Sequence, residues 1–190
     1  MAKPLILASG SPRRKEILEM LQFPFSVEVP SAFVELTGKK QPDPTILVLL
    51  NAEGKAREVA KKHSESLILG VDTVVYLDGQ ILEKPRDQEE AKRMLALLQG
   101  QKHEVFTGHF LFDPAKNRGL SALDQSTVEF LPMSEEEIEA YIATGEPLDK
   151  AGAYAIQGLG AQFIKRLEGD FFGVMGLSVA KLTRLLHGMD

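Results

Sequence analysis

The feature that most constrains this chain is one run, Leu67-Ile68-Leu69-Gly70-Val71-Asp72-Thr73-Val74-Val75-Tyr76-Leu77, in which aliphatic residues are interrupted by a single carboxylate. Aliphatic and β-branched residues ending at a turn pair, here Asp78-Gly79, read as a core strand. Burying a carboxylate is costly unless it is paired, hydrogen-bonded or bound to metal, so Asp72 needs a reason to be there. If the sheet ends at this point, Asp72 projects into a crevice at a strand edge; otherwise it is a structural acid bridged to a nearby lysine.

The flanking segments place this strand in an α/β fold. Leu5-Ile6-Leu7 reads as a buried strand, followed by Ser9-Gly10-Ser11-Pro12 and a helical period through Ile17, Leu18 and Leu21. Ser11 suits the N-cap of that helix and Pro12 its first position. A second strand is predicted over 25–29, a loop over 37–44 and a long helix over 45–63. Asp87 can cap a helix over 87–98, with Gly100 beyond it. The β-rich segments 103–112 and 121–131 flank a turn, Ser134-Glu135-Glu136-Glu137 opens a helix as a capping box, and a Gly-rich section over 152–176 precedes a closing helix over 177–186. Strands alternating with helices indicate α/β, and the adjacent strands at 103–131 predict a mixed rather than a purely parallel sheet. No repeat or low-complexity linker divides the chain, so residues 1–190 read as one domain.

Composition narrows the classes further. The 190 residues carry 22 Lys plus Arg against 27 Asp plus Glu, a net charge of −5, which argues against a protein that coats nucleic acid. No apolar stretch is longer than five residues, the length of Ile46 to Leu50, too short for a membrane span, and Leu5 to Ala8 is too short for the core of a signal peptide. With no cysteine, disulfides and thiolate metal sites are excluded and a reducing cytoplasm is the expected compartment.

Three regions carry candidate chemistry. A helix start with the hydroxyls of Ser9 and Ser11 and the guanidinium groups of Arg13 and Arg14 suits an anion such as phosphate, although a capped helix with two solvated arginines fits equally. Lys55 on the long helix and Lys84 in Leu82-Glu83-Lys84-Pro85 become interesting if they share a crevice with Asp72; isolated lysines are usually solvated. Glu35 lies in an irregular segment. Gln157, within Ala151-Gly152-Ala153-Tyr154-Ala155-Ile156-Gln157-Gly158, could read a base edge with its amide, or belong to a turn that merely joins strands. The four histidines show no metal-ligand spacing, and neither GxSxG nor a P-loop is present. Mg²⁺ would leave no dense signature, because one or two carboxylates plus substrate phosphates suffice to hold it.

Taken together, Ala8-Ser9-Gly10-Ser11-Pro12-Arg13-Arg14, Gly70-Val71-Asp72-Thr73-Val74-Val75, Leu82-Glu83-Lys84-Pro85 and Asp149-Lys150-Ala151-Gly152-Ala153-Tyr154 with Gln157-Gly158 resemble, in order, the motifs of the Maf family of nucleoside triphosphate pyrophosphatases. The resemblance implies an inosine triphosphatase-like fold, a mixed twisted sheet with flanking helices and two lobes around a central cleft. It implies hydrolysis of a nucleoside triphosphate to monophosphate and pyrophosphate with a divalent metal, Mg²⁺ or Mn²⁺, by a cytoplasmic homodimer. By motif, Asp72 resembles the proton acceptor, Lys84 a catalytic lysine, and Glu35 an acidic loop residue that would hold metal together with Asp72. Ser9, Arg13, Arg14 and Lys55 resemble the substrate pocket. The fourth motif resembles the subgroup acting on dTTP and UTP, in which the counterparts of Arg13, Thr73 and Gln157 are associated with base choice. Another nucleotide, such as methylated GTP, and a nucleotide-binding role in cell division are the alternatives. The chain departs from the family pattern at Val34, where many members carry an acid, and at Gly173 and Ser178, where Asn and Pro are expected.

Overall fold

The computed structural model describes residues 3–189. Chain order is β1 (Leu5–Ala8), α1 (Pro12–Met20), β2 (Phe25–Val27), α2 (Pro44–Ala60), β3 (Leu67–Leu77), β4 (Gln80–Leu82), α3 (Gln88–Leu98), β5 (Lys102–Asp113), β6 (Arg118–Phe130), α4 (Glu135–Ala143), β7 (Ile164–Glu168), α5 (Phe171–Met175) and α6 (Val179–Met189). Three short 3₁₀ turns lie between α4 and β7. The strands form one mixed sheet in the order β2-β1-β3-β5-β6-β7, with β4 on β3. Among the described residues only the β1–β2 and β1–β3 pairs are parallel. The α/β class and the mixed sheet expected from the sequence are both present.

Local chemistry sets most boundaries. Asp43 accepts from the N–H groups of Thr45 and Ile46 ahead of Pro44, which starts α2. Asp87 caps α3, and Ser134 with Glu137 forms the full capping box of α4. Asp78 and Gly79, both at positive φ, form the two-residue turn that folds β4 back on β3.

Several boundaries differ from the sequence expectation. β2 stops at Val27 rather than 29, and α2 ends at Ala60, three residues early. The Gly-rich section, to which the sequence assigned no element, contains β7 and the short helix α5. β7 escapes a hydrophobic-pattern reading because it is an edge strand, Ile164-Lys165-Arg166-Leu167-Glu168, whose charged side chains face water. The closing helix begins at Val179, with Ser178 placing its Oγ 3.2 Å from the Lys181 N–H.

The two faces of the sheet are covered by different helices. Leu5, Leu7, Leu69 and Val71 pack against α1 and α6 on one face, whereas Ile6, Ala8 and Ile68 pack against α2 on the other. A separate cluster of Val75, Val105, Val128 and Phe130 with α3, α4 and Tyr154 fills the second lobe. β3 runs through both lobes, as do β5 and β6. No helix among the described residues is long and apolar enough to cross a membrane.

Candidate active site

The cleft arises from a gap in strand pairing. Along one edge of β3 the ladder with β1 ends at Ala8↔Gly70, and the ladder with β4 begins only at Val75↔Leu82. Along the other edge β3 pairs with β5 without interruption from Ile68 to Tyr76. Residues 71–74 therefore have a strand neighbour on one side alone. The sheet does not end at Asp72, but one edge of the strand opens there, and Asp72 borders the crevice at that edge. A cleft of about 560 Å³ occupies the opening, lined by α1, α2, the loop after β4 and the 3₁₀ segment.

Strand alternation assigns the side chains. Asp72 falls on the α2 face and Thr73 on the α1–α5 face. Asp72 Oδ1 accepts from Lys55 Nζ at 2.7 Å, and Oδ2 accepts from Asn51 Nδ2 at 3.0 Å. Asn51 also holds the loop before α2, donating to the Leu36 carbonyl and accepting from the Leu36 N–H. Lys55 Nζ additionally lies 3.0 Å from Glu35 Oε1 and 3.4 Å from the Val71 carbonyl. With side-chain exposures of 7% for Lys55 and 9% for Asp72, the pair is buried, while Glu35 is 57% exposed.

This geometry needs α2 close against the sheet, and two glycines permit it. A Cβ on Gly70 would lie 1.9 Å from the Ala52 carbonyl oxygen, and one on Gly108, the register partner of Asp72, would lie 2.6 Å from the Val48 backbone. A side chain at either site would lift the helix that delivers Asn51 and Lys55.

On the opposite face Arg14 is the organising residue. Its Nε donates to the Gly176 carbonyl at 2.8 Å, Nη1 to Ser9 Oγ at 2.9 Å and Nη2 to Thr73 Oγ1 at 3.1 Å. Burial pulls its pKa down, and Asp72 and Glu35 pull it back up. It is thus not one of two solvated arginines. Arg13 is the more open of the two, reaching across the cleft to Asp149 at 3.5 Å. Ser11 occupies the N-cap of α1 but makes no side-chain cap bond, so the first-turn amides remain available to an anion.

The remaining expected residues also line the cleft. Lys84 lines the cleft, exposed as a residue, and makes no ion pair among the described residues; partial burial within the cleft and then Arg14 lower its pKa. Gln157 is exposed on the rim, and its amide makes no hydrogen bond with the protein among the described residues. Ser9, Arg13, Arg14, Glu35, Lys55, Asp72, Thr73, Lys84 and Gln157 therefore all border one cavity. Two neighbours were not expected. Asn51 holds Asp72, and Glu83 accepts from the Gly38 N–H with a pKa raised by burial and by Asp72 and Glu35.

The departures from the family pattern have local explanations. Val34 is 78% exposed and does not border the cleft, so its replacement of an acid leaves the cleft lining unchanged. A Cβ on Gly173 would lie 2.2 Å from Asp124 Oδ2, so Asn there would require the Asp124 side chain to move. Ser178 donates its N–H to His109 Nε2 at 3.0 Å, a bond that Pro could not make.

Among the described residues no three His, Asp or Glu side chains are grouped to hold a metal ion unaided. Asp72 and Glu35 instead share the Lys55 ammonium. Carboxylate oxygens are nonetheless the ligands a hard divalent cation takes, and Mg²⁺ completes its shell with water and phosphate oxygens. The donor set fits such an ion only in company with a ligand.

An open mixed sheet with a cation-lined, anion-receptive cleft at a break in its central ladder defines an α/β protein of ligand-binding type. The chain belongs to the Maf-like protein family, whose model matches residues 4–189. It is similar to a Bacillus cytotoxicus protein named dTTP/UTP pyrophosphatase, at 48% identity over 188 residues, covering 99% of this chain and 96% of that one. Proteins of the same name from Halalkalibacterium halodurans and Bacillus mycoides are 46% and 44% identical, each matching 99% of this chain and covering 98% and 96% of their own lengths.

Proposed function

We propose that this chain hydrolyses dTTP and UTP to the nucleoside monophosphate and pyrophosphate. The observation that carries the reading is the placement of Asp72 where one edge of β3 lacks a strand partner, in a cleft that also receives Arg13 and Arg14, Lys55 and Lys84 from separate parts of the chain. A triphosphate carries about four negative charges, and its hydrolysis depends mainly on positioning and charge neutralisation. The names of the relatives supply the bases.

In this mechanism water attacks the α-phosphorus, the bond from that phosphorus to the α,β-bridging oxygen breaks, and pyrophosphate leaves. Asp72 accepts the proton of the attacking water. Its oxygens already accept from Lys55 and Asn51, but each retains a second lone pair, so these donors orient the carboxylate without exhausting it. Lys84, whose pKa is lowered by burial and then by the nearby Arg14, would meet the negative charge of the leaving pyrophosphate. Arg13 and the α1 amides would bind phosphate oxygens, and Thr73 and Gln157 would face the base. Glu35 and Asp72 would hold Mg²⁺ or Mn²⁺ with the phosphates, the ion supplying Lewis-acid polarisation of phosphoryl oxygen. A chain without cysteine suits a reducing cytoplasm.

The test is a nucleotide panel with Mg²⁺ or Mn²⁺, assayed for pyrophosphate. Asp72→Asn should keep nucleotide binding and lose at least about a hundredfold in kcat. Full turnover by that variant rejects Asp72 as the base, and pyrophosphate from a purine nucleotide in preference to dTTP or UTP rejects the substrate.

A further inference from the structure

We infer that Thr107, a fully buried residue of β5 that does not border the cleft, is a positioning residue that fixes which way the Thr73 hydroxyl points and thereby makes the cleft wall select a hydrogen-bond donor on the base. The inference rests on the nucleotide assignment above and extends it to a residue outside the site.

The geometry leaves one arrangement of protons. Thr107 Oγ1 lies 2.8 Å from the Gly173 carbonyl oxygen. A carbonyl has no proton, and two oxygens at that separation repel unless a proton lies between them, so the Thr107 hydroxyl donates to Gly173. The same carbonyl also accepts from the Gly176 N–H at 3.0 Å. Thr73 and Thr107 are register partners on adjacent strands, and their hydroxyl oxygens are 3.0 Å apart. Because the Thr107 proton is committed to Gly173, the proton in this second contact comes from Thr73. Arg14 Nη2, which can only donate, approaches Thr73 Oγ1 from a third direction at 3.1 Å.

The chain of donation therefore runs Arg14 to Thr73 to Thr107 to Gly173. Thr73 has one lone pair left and no free proton, so towards the cleft it is an acceptor only. On the same face of β3, Ile156 and Met175 border the cavity, so part of the wall near this fixed acceptor is apolar and suits the flat surface of a base. Thymine and uracil carry an N3–H at the middle of the pairing edge, whereas cytosine presents a bare nitrogen acceptor there. A hydroxyl free to rotate would serve either; one held by Thr107 favours the imide.

The test compares kcat/KM for dTTP and dCTP in the wild type, Thr107→Val and Thr107→Ser, with melting temperature as a check on folding. Val keeps the shape and frees the Thr73 proton; Ser restores the donor to Gly173. The dTTP/dCTP ratio should fall about tenfold or more in Thr107→Val, the worth of one hydrogen bond, and return in Thr107→Ser. A ratio that stays constant, or an equal loss for both nucleotides, overturns the inference while leaving the pyrophosphatase reading intact. If Thr107→Val does not fold, Thr73→Val removes the acceptor itself and must lower the same ratio; an unchanged ratio there is equally fatal. Absence of pyrophosphate from the wild type with every nucleotide would instead reject the parent reading.

Discussion

The Lys55–Asp72 pair shows how a functional site and a stability cost can share the same atoms. Each ion is largely removed from water, so either alone would be an uncompensated buried charge. Lys55→Met should lower stability by about 3 kcal/mol, because Asp72 keeps only Asn51. Asp72→Asn should cost less, since Lys55 still has Glu35 and the Val71 carbonyl. The double variant should recover part of the Lys55→Met loss in urea denaturation; strictly additive losses would show that the two side chains do not act as a unit. Asp72 was legible in the sequence because a carboxylate in an aliphatic strand is conspicuous. Asn51 was not singled out, yet a signal was present: positions 47, 48, 51, 52, 55, 56 and 59 form the buried stripe of α2, and Asn51 and Lys55 are its two polar members, one turn apart. Polar groups inside an apolar stripe are the informative ones. Choosing between Arg13 and Arg14 was beyond sequence reasoning, since adjacent residues of a helix face different directions and only packing decides which is buried.

At the scale of elements, what matters is how closely α2 approaches the sheet. Strand β3 and the capped helices α3 and α4 were readable because period and caps are local properties. The break in the β3 ladder was not, because it depends on where β1 stops and β4 starts relative to a strand far from both in sequence. Nor do Gly70 and Gly108 announce themselves, since a glycine in a strand is equally consistent with a bulge. Their role predicts a specific failure. Gly70→Ala forces a methyl group against the Ala52 carbonyl, so it should destabilise by about 1–3 kcal/mol and move Asn51 and Lys55 off Asp72. Turnover should drop by more than the unfolded fraction explains. Gly79→Asn makes a useful control, because its positive φ suits Asn and a Cβ there meets nothing within 4 Å. If Gly70→Ala melts lower but keeps full turnover per folded molecule, helix approach does not govern the site.

For the molecule as a whole, two histidines set the lower limit of its pH range. His103 lies behind Tyr154, its Nε2 2.8 Å from the tyrosine hydroxyl, and its Nδ1 has no partner among the described residues. His109 is fully buried: Nδ1 faces the Ala122 carbonyl at 3.4 Å while Nε2 accepts from the Ser178 N–H. A second proton on His109 would set Nε2–H against that N–H. Burial pushes both imidazoles down to about 4, and in His109 the nearby Arg14 adds to the effect. The sign follows from linkage. Below the ordinary value of about 6.5 the unfolded chain takes up protons that the folded chain refuses, so stability is complete above that pH and lost as pH falls towards 4. At pH 5 each histidine should cost about 2 kcal/mol relative to pH 8. That window lies above the ordinary carboxylate range, and Glu83 and Asp124, whose pKa values burial raises, would oppose the decline rather than produce it. Urea denaturation between pH 8 and pH 5 should show the decline, and His103→Phe should remove about half of it because a phenyl ring fills the same aromatic contact with Phe130 and cannot take up a proton. A flat stability profile over that interval would mean that the two imidazoles are protonated in the folded protein, and that the cores they occupy are wetter than their burial implies.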